Sequence, residues 1–119
     1  AAGAATLRYV LDNDLQGNAL RMGRRFDARV RPIVEQTDWI AELRGRGLMW
    51  ALEICHPGTV EPDPKRTAAL LEAAKRHGLL VGKGGLYGNV IRMSPMLDID
   101  EATMDEGLDA LVAAIGDCA

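Results

Sequence analysis

The sequence predicts an α+β fold, a two-layer sandwich in which helices cover one face of a small, largely antiparallel sheet. Three observations carry this. Apolar residues recur at offsets of three and four from Leu15 to Ile33 and from Met104 to Ile115, the spacing of one helix face. Between these stretches Leu48, Trp50, Leu52 and Ile54 alternate with Met49, Ala51 and Glu53, as a half-buried strand requires. The elements then run helix, helix, strand, strand, helix, strand, strand, helix within 119 residues, a length that supports one compact domain. Aromatic residues make up 4% of the chain, so the core must be built from Leu, Ile, Val, Ala and Met.

Each element has its own local reasons. Ala1 to Leu11 reads as helix from its first residue with no N-cap, as though cut from a longer helix, and the chain is expected to be a fragment. Asp14 is the expected N-cap of the second helix, whose stripe is Leu15, Ala19, Met22, Phe26, Val30 and Ile33. Pro32 lies inside that pattern and should loosen or kink the helix near Ala28. Ile40 to Arg44 and Leu48 to Ile54 form a strand pair joined through Gly45 and Gly47. His56 to Pro64 is rich in Pro, Gly and acids and reads as an exposed loop. Asp63 caps a third helix with Pro64 at its first position, closed by Gly78 after His77. Leu79 to Val81 and Val90 to Met93 are predicted strands on either side of a glycine-rich turn. Asp100 caps the last helix, where burial of Met104, Leu108, Leu111, Val112 and Ile115 contributes roughly 1.5 to 3 kcal/mol per large side chain.

Composition excludes several functions. A net charge of -3 argues against a nucleic-acid binder. Arg21, Arg24, Arg25, Arg29 and Arg31 share one helix, but Asp27 and Glu35 interrupt them and no aromatic platform accompanies them, which fits a solvated face or a subunit contact. Cys55 and Cys118 form no disulfide framework and no Cys-x-x-Cys pair, so a reducing, cytoplasmic setting is expected. Neither a signal peptide nor a membrane span is legible.

The segment Gly82-Lys83-Gly84-Gly85-Leu86-Tyr87-Gly88-Asn89-Val90-Ile91-Arg92-Met93-Ser94-Pro95 carries the strongest chemical signal. Val90, Ile91 and Met93 make a buried or half-buried strand, and an arginine carried into it needs an anion, from the protein or from a ligand. The lysines Lys65, Lys75 and Lys83 read as solvated. Gly-Lys-Gly-Gly lacks the spacing of a phosphate loop and opens no helix. His56 and His77 make no metal set with the cysteines, and His77 suits a helix C-terminus. Glu53 is expected to face solvent by alternation, and Arg44 and Arg46 to be structural parts of a glycine turn.

Gly82 to Ile99 resembles the end of the C-terminal small domain of class III aminotransferases, pyridoxal-phosphate enzymes of fold type I. Leu43-Arg44-Gly45-Arg46-Gly47-Leu48-Met49-Trp50-Ala51-Leu52-Glu53-Ile54 resembles a second motif of that domain, in the matching order. The wording around Gly-Lys-Gly-Gly-Leu-Tyr-Gly-Asn is most similar to alanine–glyoxylate and β-alanine–pyruvate aminotransferases. The resemblance implies that residues 1–13 are the C-terminal part of an interdomain helix and residues 14–119 the small domain. It implies pyridoxal phosphate as cofactor, held by a large domain of the same polypeptide, amino acid and 2-oxo acid substrates, and a homodimer at full length. It assigns Arg92 to the substrate carboxylate, or to a glutamate when the other substrate needs room, and assigns this chain no catalytic, cofactor-binding or metal-binding residue. Met96 departs from the family, where a second proline is common. A stand-alone module binding small carboxylates, or a structural domain with Arg92 paired internally, is the alternative.

Overall fold

The computed structural model describes residues 1–119 and contains four helices and one four-stranded antiparallel sheet. The helices are α1 (Ala2–Asp12), α2 (Leu15–Glu35), α3 (Pro64–Arg76) and α4 (Glu101–Asp117). The strands are β1 (Ile40–Arg46), β2 (Met49–Ile54), β3 (Gly82–Gly84) and β4 (Val90–Met93), in the order β1-β2-β4-β3. The predicted α+β sandwich is the fold observed. Alternation divides the sheet cleanly: Leu43, Trp50, Leu52, Ile54, Ile91 and Met93 are buried against the helices, while Glu42, Arg44, Met49 and Arg92 point to the uncovered face. Phe26 of α2 stacks on Trp50 with ring centroids 4.9 Å apart, joining the two layers.

The helix termini follow their local chemistry at three of four expected places. Asp63 accepts a bond from the Arg66 amide at 2.9 Å and Asp100 one from the Thr103 amide at 2.7 Å. His77 ends α3 and Gly78 follows in the left-handed region at φ 83°. Asp14 precedes α2 but makes no capping bond: its own backbone is left-handed at φ 48°, and its carboxylate lies 3.6 Å from Arg21 instead. Pro32 lies inside α2, which runs on to Glu35.

Two strand assignments change. Leu79 to Val81 pairs with nothing, and the strand lies three residues later at Gly82–Gly84, where pairing with Val90 to Arg92 is available. The glycine run is therefore half strand and half turn, the turn closing with Gly88 N–H donating to Gly85 O at 3.1 Å. Gly45 is likewise in a strand, leaving Gly47 (φ 57°) and Leu48 to turn the hairpin. It stands opposite Trp50, and a methyl group there would fall 2.5 Å from the indole.

The basic face of α2 is a zipper to α4. Arg25 binds Asp105 through two bonds of 2.5 and 2.7 Å, and one turn on Arg29 binds Asp109 at 2.9 Å. The Asp105 carboxyl is accordingly held below its ordinary range. At the other end α1 buries no side chain, leaving Leu7, Tyr9 and Leu11 exposed. Its junction with α2 is clipped to the segment after β4: Asn18 Nδ2 donates to Leu97 O at 2.7 Å and Ile99 O at 3.0 Å, and Tyr9 donates to Asp98. No helix is long and apolar enough to cross a membrane.

Candidate functional site

The glycine turn and β4 are pinned from below before any side chain reaches solvent. Asn89 is buried, and its amide donates to Ile54 O at 3.1 Å while its own carbonyl accepts from Ile54 N–H at 2.8 Å. Gly85 adopts φ 83° and packs so closely on Val90 that an added methyl would lie 2.7 Å from Val90 Cγ2. Asn89 and Gly85 thus hold the start of β4 rigidly against β2. The turn residues Leu86 and Tyr87 stay exposed at the tip.

Arg92 is not the buried cation the apolar strand suggested. Val90, Ile91 and Met93 are buried, but Arg92 projects from the uncovered face and is exposed. It belongs to none of the ion pairs in the chain and donates no side-chain hydrogen bond. Its Cδ and Nε lie over Gly84, 3.4 and 3.6 Å from where a Cβ would be, and Gly82 stands directly opposite it on β3. Two missing side chains on the edge strand therefore give the guanidinium a lane across the sheet. A planar fork held this way, with no protein acid against it, suits a carboxylate.

Across β4 from the glycines lies a row not legible from spacing alone. Ala51 faces Arg92 on one side and Arg44 on the other. Arg44 Nη1 contacts Glu42 and Glu53, each at 2.5 Å. These two acids, Glu53 first, hold the Arg44 guanidinium still more firmly protonated than usual. Glu53 is thus engaged and not free in solvent, and Arg44 belongs to this face instead of to the hairpin turn. Alternation along each strand was visible in the sequence; the register that sets Arg44, Ala51 and Arg92 side by side was not.

Lys65, Lys75 and Lys83 are all exposed; Lys75 lies 3.7 Å from Glu72, and Lys83 runs over Gly88. His77 Nε2 lies 3.0 Å from Asp117, tying α3 to α4 and helping hold the Asp117 carboxyl below its ordinary range. Burial pushes the Cys55 and Cys118 thiols up, away from reactivity. A cleft of about 520 Å³ lies beside the site where Leu79 to Val81 lead into β3, lined mainly by apolar residues, with Arg92, His77 and Glu106 its ionisable members.

Residues 1–115 match the model of the family described as aminotransferase class-III. The chain belongs to the class III aminotransferases. This family depends on pyridoxal phosphate. The chain is 36% identical over 117 residues to 4-aminobutyrate aminotransferase of Mycobacterium leprae, a match covering 98% of this chain and 26% of that protein. It is 32% identical over 111 residues to an alanine–glyoxylate aminotransferase 2 homologue of Arabidopsis thaliana, covering 92% of this chain and 23% of that one. The crystal structure of an amine transaminase from an uncultivated Pseudomonas species, in its PLP-bound form, superposes with a TM-score of 0.86 at 33% identity, covering 99% of this chain and 27% of that one. The chain thus spans about a quarter of the length of the relatives it matches.

Proposed function

We propose that residues 14–119 are the C-terminal small domain, and residues 1–13 the end of the interdomain helix, of a pyridoxal-phosphate-dependent transaminase. The complete enzyme moves an amino group from an amino or ω-amino acid to a 2-oxo acid. The observation that carries the reading for this chain is the exposed Arg92 guanidinium, laid over Gly84 with no protein acid against it. Arg92 binds the substrate carboxylate, and Asn89 and Gly85 keep its strand in place while it does so. The cofactor, when bound by the large domain, supplies the electron sink for the chemistry at the amino-bearing carbon. This chain supplies orientation and selectivity, and no lysine for the cofactor. Alone it is inactive, and its partners are the large domain of the same polypeptide and, in a cytoplasmic homodimer, a second copy.

The test is kinetic. Arg92→Ala in the complete enzyme should raise KM for 4-aminobutyrate about 10- to 100-fold, the loss expected for a hydrogen bond between charged groups. The carboxylate-free amine butylamine should be used as before. Equal kinetics of wild type and variant with 4-aminobutyrate would remove the carboxylate-binding role of Arg92. A visible absorbance band on adding pyridoxal phosphate to the isolated chain, abolished by Lys83→Ala, would overturn the assignment of the cofactor to another domain.

A further inference from the structure

The uncovered sheet face holds two arginines that stand opposite the same residue and one carboxylate diagonal to both. Arg44 and Arg92 stand opposite Ala51 from the two neighbouring strands, and Glu53 lies two residues beyond Ala51. With strands about 4.8 Å apart, Glu53 is diagonal to both arginines at about 7 to 8 Å between Cα atoms. The Arg44 contact with Glu53 at 2.5 Å demonstrates that an arginine spans this diagonal. On the β1 side, Glu42 stands directly opposite Glu53. Like charges so placed repel, and Arg44 offsets the repulsion by contacting both.

Building on the carboxylate-binding role of Arg92, we infer that Arg44 is a positioning residue that keeps Glu53 on the β1 side of the sheet, so that Arg92 is left unpaired for the substrate. Without Arg44, Glu42 repels Glu53 toward β4, where Arg92 is the cation on the matching diagonal. Glu53 then competes with the substrate carboxylate for the same guanidinium. The glycines at 82 and 84 complete the arrangement from the far side, letting Arg92 lean over β3 away from Glu53. Arg44 of β1 thereby sets the availability of another arginine two strands away.

The experiment compares four forms of the complete enzyme with 4-aminobutyrate and with butylamine as donors. Arg44→Ala should raise KM for 4-aminobutyrate about two- to fivefold, the strength of an exposed ion pair, with kcat and the butylamine parameters little changed. Arg44→Ala/Glu53→Gln should bring KM back to near the wild-type value, which a purely structural loss of Arg44 would not do. Arg44→Gln replaces Arg44→Ala in both forms if alanine yields no folded enzyme. A KM that stays at the wild-type value in the single variant, or stays raised in the double variant, overturns the role given to Arg44 and leaves that of Arg92 standing. Arg92→Ala, run alongside, separates the two: no effect there removes the carboxylate-binding reading itself, and this inference with it.

Discussion

The two faces of the same four strands obey different rules. Toward the helices, Leu52, Ile54 and Ile91 are wholly buried, and their neighbours Trp50 and Met93 nearly so. Away from the helices, Glu42, Arg44, Ala51, Glu53 and Arg92 make a shallow charged surface whose ionic contacts are half exposed. Period-two alternation puts these residues one peptide apart, so a single strand carries both a fold-determining and a ligand-recognising set. The difference teaches that effects of substitution should split by parity: stability on one face, substrate affinity on the other.

The largest expected effect comes from the buried face. Leu52→Ala removes a fully buried side chain in the central strand pair and should cost about 2 to 5 kcal/mol in urea denaturation. A cost below about 1 kcal/mol would show that the two faces are not so different. Gly45→Ala forces a methyl group against the Trp50 ring and Met49 O, which should cost about 1 to 3 kcal/mol by overpacking, although position 45 is exposed. Next comes Asp63→Ala at the start of α3, at about 1 kcal/mol. On the charged face, Arg92→Ala should leave stability within about 0.5 kcal/mol while it raises KM. A large loss of stability in Arg92→Ala would break the division.

Asp63 also sharpens the acid limb. The Arg66 amide, with His56 and the Arg66 guanidinium nearby, holds the Asp63 carboxyl below its ordinary value despite the opposing effect of burial. A depressed folded-state value means the unfolded chain binds the proton more tightly. The contribution is therefore complete above the unfolded value of about 3.9 and is lost as pH falls through the lower folded one. Between pH 5 and 2, wild type should lose stability more steeply than Asp63→Ala; parallel curves would deny the carboxylate this role.

Much of the fold was legible because its causes are local. The stripe on α2, the caps at Asp63 and Asp100, and the alternation in β2 each depend on residues within a turn or two of one another. The errors fell where a distant partner decides. Leu79 to Val81 has strand composition, yet glycines pair with β4; Asp14 has capping chemistry, yet its backbone turns left-handed. The arginines of α2 are exposed, as a solvated face requires, but the pairing of Arg25 and Arg29 with Asp105 and Asp109 at the same four-residue spacing came only with α4. Arg92 was legible as the chemically interesting residue, but its three apolar neighbours suggested burial. In a sheet covered on one face, those neighbours need not share its environment: Ile91 and Met93 point the other way, and Val90 is shielded by the turn.

By itself the sequence determined the element types, the apolar faces and the family motifs, since short-range sterics, capping and periodicity are written within each segment. Tertiary structure alone decided the register that aligns Arg44, Ala51 and Arg92, and with it which arginine is engaged and which is free. Strand pairing is a long-range choice settled by burial of the opposite face, so the chemistry of the open face is a consequence of packing on the closed one.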